Sequence, residues 1–144
     1  MRYGFVIGAA LLGVCATGVL AQDTKPRGAT MKEVGRAFGD INKMNRGQIP
    51  YDAAAATAAF QKISASAKTF APLFGPDPTP EGRALPSIWE NKADFDARLT
   101  KLASDAAAGA AVAPKGEADF KTAFTALGSN CAGCHDKYRG KEKE

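Results

Sequence analysis

The chain has 144 residues, a formal net charge of +4, 45% hydrophobic and 24% charged residues, three Cys and one His. That length suits one domain with a real core, and the composition excludes a disordered or collagen-like chain. The scarcity of His and Cys excludes large multi-site metal clusters and His-rich catalytic centres, and Lys and Arg scattered among Asp and Glu make nucleic acid an unexpected partner.

Met1-Arg2 is a short basic start, and Phe5 to Leu20 is apolar and uncharged. Val19-Leu20-Ala21 ends this stretch as a signal-peptidase site would. The expectation is a signal peptide over 1–21, cleaved after Ala21, with export to the periplasm and one domain over 22–144. Gly8, Gly13 and Gly18 loosen the stretch, which is barely long enough for a membrane anchor. Cleavage removes Cys15 and leaves Cys131 and Cys134 as the only thiols.

The rest reads as helix: Ala is abundant, and no segment alternates with period two. The first helix is expected over 27–45, with Met31, Val34, Phe38 and Ile41 spaced by three and four; Met44 reads as core. A short turn from Gly47 to Pro50 leads to a second helix over 51–71, its start assigned to Pro50. Ala56, Ala59, Phe60, Ile63, Ala67 and Phe70 form its stripe. Pro72, Pro76, Pro78, Pro80 and Pro86 then exclude helix and predict a surface crossover. A third helix is expected over 87–111, with Phe95, Leu99, Leu102 and Ala106 as its seam. Pro114-Lys115-Gly116 turns into a fourth over 117–140, where Phe120, Phe124, Leu127, Cys131, Cys134 and Tyr138 share a face. The fold class predicted is all-α, an antiparallel four-helix bundle, with 141–144 a solvated tail.

One motif carries chemistry. Cys131-Ala132-Gly133-Cys134-His135 places two thiols three residues apart on one helix face, where both can reach the vinyl groups of a single haem. His135 follows where its imidazole can bind the iron. This is the pattern of c-type haem attachment. A structural zinc site would need further ligands, and a thioredoxin-like dithiol would need a βαβ unit that the sequence lacks. The expected cofactor is one covalently attached haem c.

With these residues in place the chain resembles the class II cytochromes c, the family of cytochrome c′ and its low-spin, Met-ligated relatives. Gly47-Gln48-Ile49-Pro50-Tyr51-Asp52-Ala53-Ala54 looks like the family's start of helix two, Pro86-Ser87-Ile88-Trp89 like its entry to helix three, and Cys134-His135-Asp136-Lys137-Tyr138-Arg139 like its ending. The match runs from about Arg27 to Arg139. The link around Pro76-Asp77-Pro78 departs from the family in being unusually rich in proline.

The resemblance puts Met31 over the distal iron face. As a ligand its thioether would give a low-spin haem of raised potential, suited to an electron carrier. As packing alone it would leave an open iron able to take NO or CO. Met31-Lys32 with Gly35 and Gly39 resembles the low-spin branch. The resemblance further implies that Arg27 pairs with a haem propionate and that Arg139 lies beside the proximal pocket. For Arg139 a surface residue favourable with the helix dipole is an equal reading. Tyr138, Phe38, Phe60, Phe95, Phe124 and Trp89 read as packing. Asp94 and Asp96 do not share a helix face and read as solvated charge. No constellation suggests an enzyme. The expected partners are periplasmic or membrane redox proteins, with homodimer and monomer both open.

Overall fold

The computed structural model describes residues 25–79 and 82–141. It contains α1 (Lys25–Asn45), α2 (Ala53–Phe70), the single-turn α3 (Ser87–Glu90), α4 (Lys92–Val112) and α5 (Glu117–Tyr138), with 3-10 turns at Ala71–Leu73 and Ala113–Lys115. Among the described residues there is no strand beyond an isolated bridge between Ala84 and Arg139. No helix among them is long and apolar enough to cross a membrane. The expected all-α bundle is what forms, with α2 against α1 and α4, and α4 against α5.

The seams follow the three-and-four spacing of their apolar residues. Val34, Ala37, Ile41 and Met44 of α1 are buried, as are Ala56, Phe60, Ile63, Ala67 and Phe70 of α2. Such rows interdigitate at the shallow crossing angles of a bundle. At the end of α1 the Gly47 N–H donates to the Met44 carbonyl at 3.0 Å and the Gln48 N–H to that of Lys43 at 2.9 Å. Gly47 has φ +66°, so these bonds form a Schellman cap on a left-handed residue that glycine adopts without strain. The chain thereby turns back at once towards α2.

Three expected boundaries shift. Pro50 does not start α2. Asp52 does, with extended φ and ψ and a side chain accepting from the Ala55 N–H at 2.9 Å. The helix expected over 87–111 breaks at Asn91 (φ −126°, ψ 42°), whose side-chain amide donates to the Ser87 carbonyl at 3.1 Å. Asn is suited to such competition with the helical ladder. The last helix stops at Tyr138 instead of 140, because Arg139 is extended and the Gly140 N–H donates to the Arg83 carbonyl at 2.7 Å.

Glycine makes opposite contributions at two helical positions. A Cβ on Gly109 would meet the Phe60 ring at 2.6 Å, whereas one on Gly35 would meet nothing within 4 Å. Alanine is intrinsically favoured over glycine in a helix by ~1 kcal/mol. Gly35→Ala is therefore expected to stabilise by about that amount. Gly109→Ala is expected to destabilise by roughly 1–2 kcal/mol, since overpacking outweighs the propensity gain. Urea unfolding of both variants checks the contrast in sign.

The core has two parts. The larger joins the bundle through Phe60, Phe120, Ile41, Ile63 and Leu127, all essentially inaccessible. The smaller gathers Phe70, Phe74, Ile88, Phe95, Leu99 and Tyr138 beneath the proline-rich link. That link is more than a surface crossover, since Phe74 is buried and stacks edge-on against Phe95 at 4.8 Å. Met31 packs against both parts.

Candidate functional site

Between the two parts of the core lies a cavity of about 580 Å³, partly open to solvent and walled mainly by apolar side chains. This is within the usual size range of cofactor sites. Arg27, Met31, Cys131, Cys134, His135 and Arg139, the site residues expected from the sequence, all line it.

The α5 helix presents the attachment motif. Cys131 packs against the larger core and Cys134 against the smaller, so the two thiols straddle the cavity's inner wall. Both are free and half-buried. Burial pushes both thiols above their ordinary pKa. The imidazole of His135 is pushed below its ordinary value, first by burial and then by the Arg139 and Arg83 guanidiniums. That favours the neutral ring, the form able to ligate a metal.

Helix α1 also lines the cavity, through Arg27, Gly28, Met31 and Val34. Met31 is half-buried, with Val34 lining the cavity one turn on. Arg27 is buried and bolts the link to α1. Its Nε donates to the Leu73 carbonyl at 2.9 Å, Nη1 to the Thr79 carbonyl at 2.8 Å and Nη2 to Thr79 Oγ1 at 2.9 Å. Its guanidinium also lies 4.4 Å above the Phe74 ring.

Two further arginines, Arg83 and Arg98, line the cavity and were not expected from the sequence. Arg98 Nε donates to Asp94 Oδ2 at 2.9 Å. The spacing of four between these residues was the available signal; for Arg83 there was none. Asp94 itself is not merely solvated. Its Oδ2 also accepts from Lys137 Nζ at 2.9 Å and from the Tyr138 hydroxyl. The Tyr138 hydrogen bond, then those of Arg98 and Lys137, hold its carboxyl well below the usual carboxylate range. Asp96 pairs with Lys92 one turn earlier on α4.

The donor set fits a tethered haem: paired thiols on one helical face, a neutral imidazole beside them, a large apolar cavity and guanidiniums suited to carboxylates. A family model described as Cytochrome C′ matches residues 22–139. The chain belongs to the cytochrome c′ family. It is 38% identical over 144 residues to cytochrome c-556 of Agrobacterium fabrum, covering 99% of each chain. It is 35% identical over 148 residues to a cytochrome c′ of Rhodopseudomonas palustris, covering 99% of this chain and 98% of that one. The solved structure of a cytochrome c′ from Rhodopseudomonas palustris superposes with a TM-score of 0.75 at 32% identity, covering 83% of this chain and 96% of that chain. A nitric oxide complex of a variant cytochrome c prime from Alcaligenes xylosoxidans gives 0.74 at 30% identity, covering 82% and 94%.

Cytochrome c′ family proteins bind a covalent haem c, and their electron-transfer or gas-binding roles rest on it. They are typically exported. The expected signal peptide, residues 1–21, lies outside the described residues.

Proposed function

We propose that this chain is an exported one-electron carrier and not an enzyme. Its haem is joined by thioethers at Cys131 and Cys134, and its iron is bound by His135 and by Met31. When bound, the haem supplies a centre that takes up and releases one electron. The observation that carries the reading is Met31: a thioether side chain, half-buried between the two parts of the core, lining the same cavity as the α5 motif. Phe70, Leu99 and Leu102 keep that interior apolar and limit water, which favours a high potential. Arg27 and Arg139 supply positive charge at the wall for the haem carboxylates, Arg27 while also holding the link. Redox proteins of the periplasm or its membrane are the partners, and the leader is cleaved after Ala21.

The nitric oxide complex of a neighbour at 30% identity favours a second reading, in which Met31 only packs and the iron binds NO or CO. Ferric and ferrous absorption spectra of the purified holoprotein, with and without CO, separate the two. The electron-carrier reading expects low-spin spectra that CO changes only slowly. A high-spin ferrous spectrum that shifts promptly on adding CO overturns it.

A further inference from the structure

The last turn of α5 carries His135 and is short of its own helical partners. Its anchoring comes from elsewhere in the chain. The Ser87 hydroxyl donates to the Lys137 carbonyl at 2.9 Å, and the Leu85 N–H to the Tyr138 carbonyl at 3.1 Å. From α4, Asp94 supplies the side-chain acceptor for this turn. One oxygen, Oδ2, receives Arg98 Nε, Lys137 Nζ and the Tyr138 hydroxyl together. These three donors bracket the attachment motif. Lys137 and Tyr138 follow His135 by two and three residues. Arg98 lies on the other side, where a Cβ on Gly133 would meet its Nη1 at 3.4 Å. The Tyr138 ring is buried edge-on against Phe95 at 5.2 Å, so its hydroxyl reaches Asp94 from a fixed position.

We propose that Asp94 is a positioning residue for His135: its carboxylate ties residues 133–138 of α5 to α4 and so sets the rotation of the imidazole over the cavity. Lys137 and Tyr138 reach this oxygen from adjacent positions on α5, while Arg98 holds the carboxylate from its own helix, α4, so two neighbouring α5 side chains are fixed to one oriented acceptor and the helix is restrained in rotation as well as in distance. An ordinary surface ion pair contributes little. Here the link also includes the buried Tyr138 ring and Arg98, which lines the cavity together with Cys134 and His135, and this couples the charge to the ligand's orientation. Supporting groups around a ligating His commonly tune the metal in this way. The proposal rests on the reading of His135 as the iron ligand.

The test uses the full-length holoprotein. Covalent haem in the wild type, and loss of its ferric electron paramagnetic resonance pattern in His135→Ala, establish the underlying reading; absence of either overturns that reading and not the role of Asp94 alone. Asp94→Asn is then expected to shift the ferric g-values, which follow imidazole orientation, and to move the midpoint potential to more positive values as a negative charge is lost. Tyr138→Phe keeps the charge and the ring but removes one tie, and is expected to shift the g-values with less change in potential. Asp94→Glu is expected to restore part of the wild-type pattern. Asp96→Asn, which alters a neighbouring carboxylate paired only along α4, is expected to match the wild type. Wild-type g-values in both Asp94→Asn and Tyr138→Phe overturn the proposal. A potential that moves without any change in g-values does so too, since it leaves only a charge effect. If Asp94→Asn does not fold or load haem, Tyr138→Phe decides the matter by the same criterion.

Discussion

Replacing both Cys131 and Cys134 with alanine is expected to abolish covalent haem, so that acid-acetone extracts all haem from the variant and none from the wild type. Each single variant should retain one thioether and stay coloured after extraction. The thiols do more than tether. They line a cavity of about 580 Å³ that forms the junction between the two parts of the core. At ~24 cal/mol per Å³ a sealed, dry void of that size would cost roughly 14 kcal/mol, as much as the whole stability of many domains. The cavity opens to solvent, so water entry and partial collapse reduce that cost. A residual loss of ~3 kcal/mol would still lower Tm by about 10 °C. The double variant should therefore unfold at markedly lower temperature than the wild type, as read by far-ultraviolet circular dichroism. Covalent haem retained in the double variant would refute the role given to the motif.

The part of the molecule hardest to read from sequence is the link that lends Phe74, Arg83 and Ala84 to this cavity. The bundle itself was legible because its causes are local. Rows of apolar residues three and four apart define faces, and Gly47 marks the end of α1. Cys131, Cys134 and His135 fall within one turn, so their convergence needed no tertiary information. The link between α2 and α3 is different. Its five prolines excluded helix and suggested only a surface crossover. What holds it is Arg27, reaching Leu73 and Thr79 across 46 and 52 residues. No local pattern predicts a partner at such a distance. Asp94 is similar: its bond to Arg98 is local, but Lys137 and Tyr138 lie 43 and 44 residues away. The break at Asn91 has a local partner in the Ser87 carbonyl, but the placement of α3 before it involves the link. α3 is anchored to the link by Trp89, whose Nε1 donates to the Gly75 carbonyl at 3.0 Å. Propensity alone favoured one continuous helix.

Met31 lines the cavity, as the sequence led one to expect, and Met31→Ala is the substitution with the greatest expected effect on the proposed sixth position. If the thioether binds iron, removing it should convert a low-spin ferric spectrum to a high-spin one. It should also speed CO binding to the ferrous protein by orders of magnitude, because no internal ligand then has to leave. The midpoint potential should fall, since thioether ligation is what raises it. Met31 also packs against both parts of the core, so alanine would remove apolar contacts as well as the sulfur. For a half-buried residue this costs less than the ~2–5 kcal/mol of a fully buried Met→Ala change. Met31→Leu separates the two contributions. Leucine nearly conserves volume, with an expected cost below about 1.5 kcal/mol, but has no sulfur. Ligation by Met31 therefore requires that Met31→Leu keep near wild-type Tm yet share the high-spin spectrum and fast CO binding of Met31→Ala. A Met31→Leu protein that remains low-spin would show that another group holds the sixth position. A wild type that is already high-spin, and unchanged in both variants, would assign Met31 to packing and the open iron to gas binding.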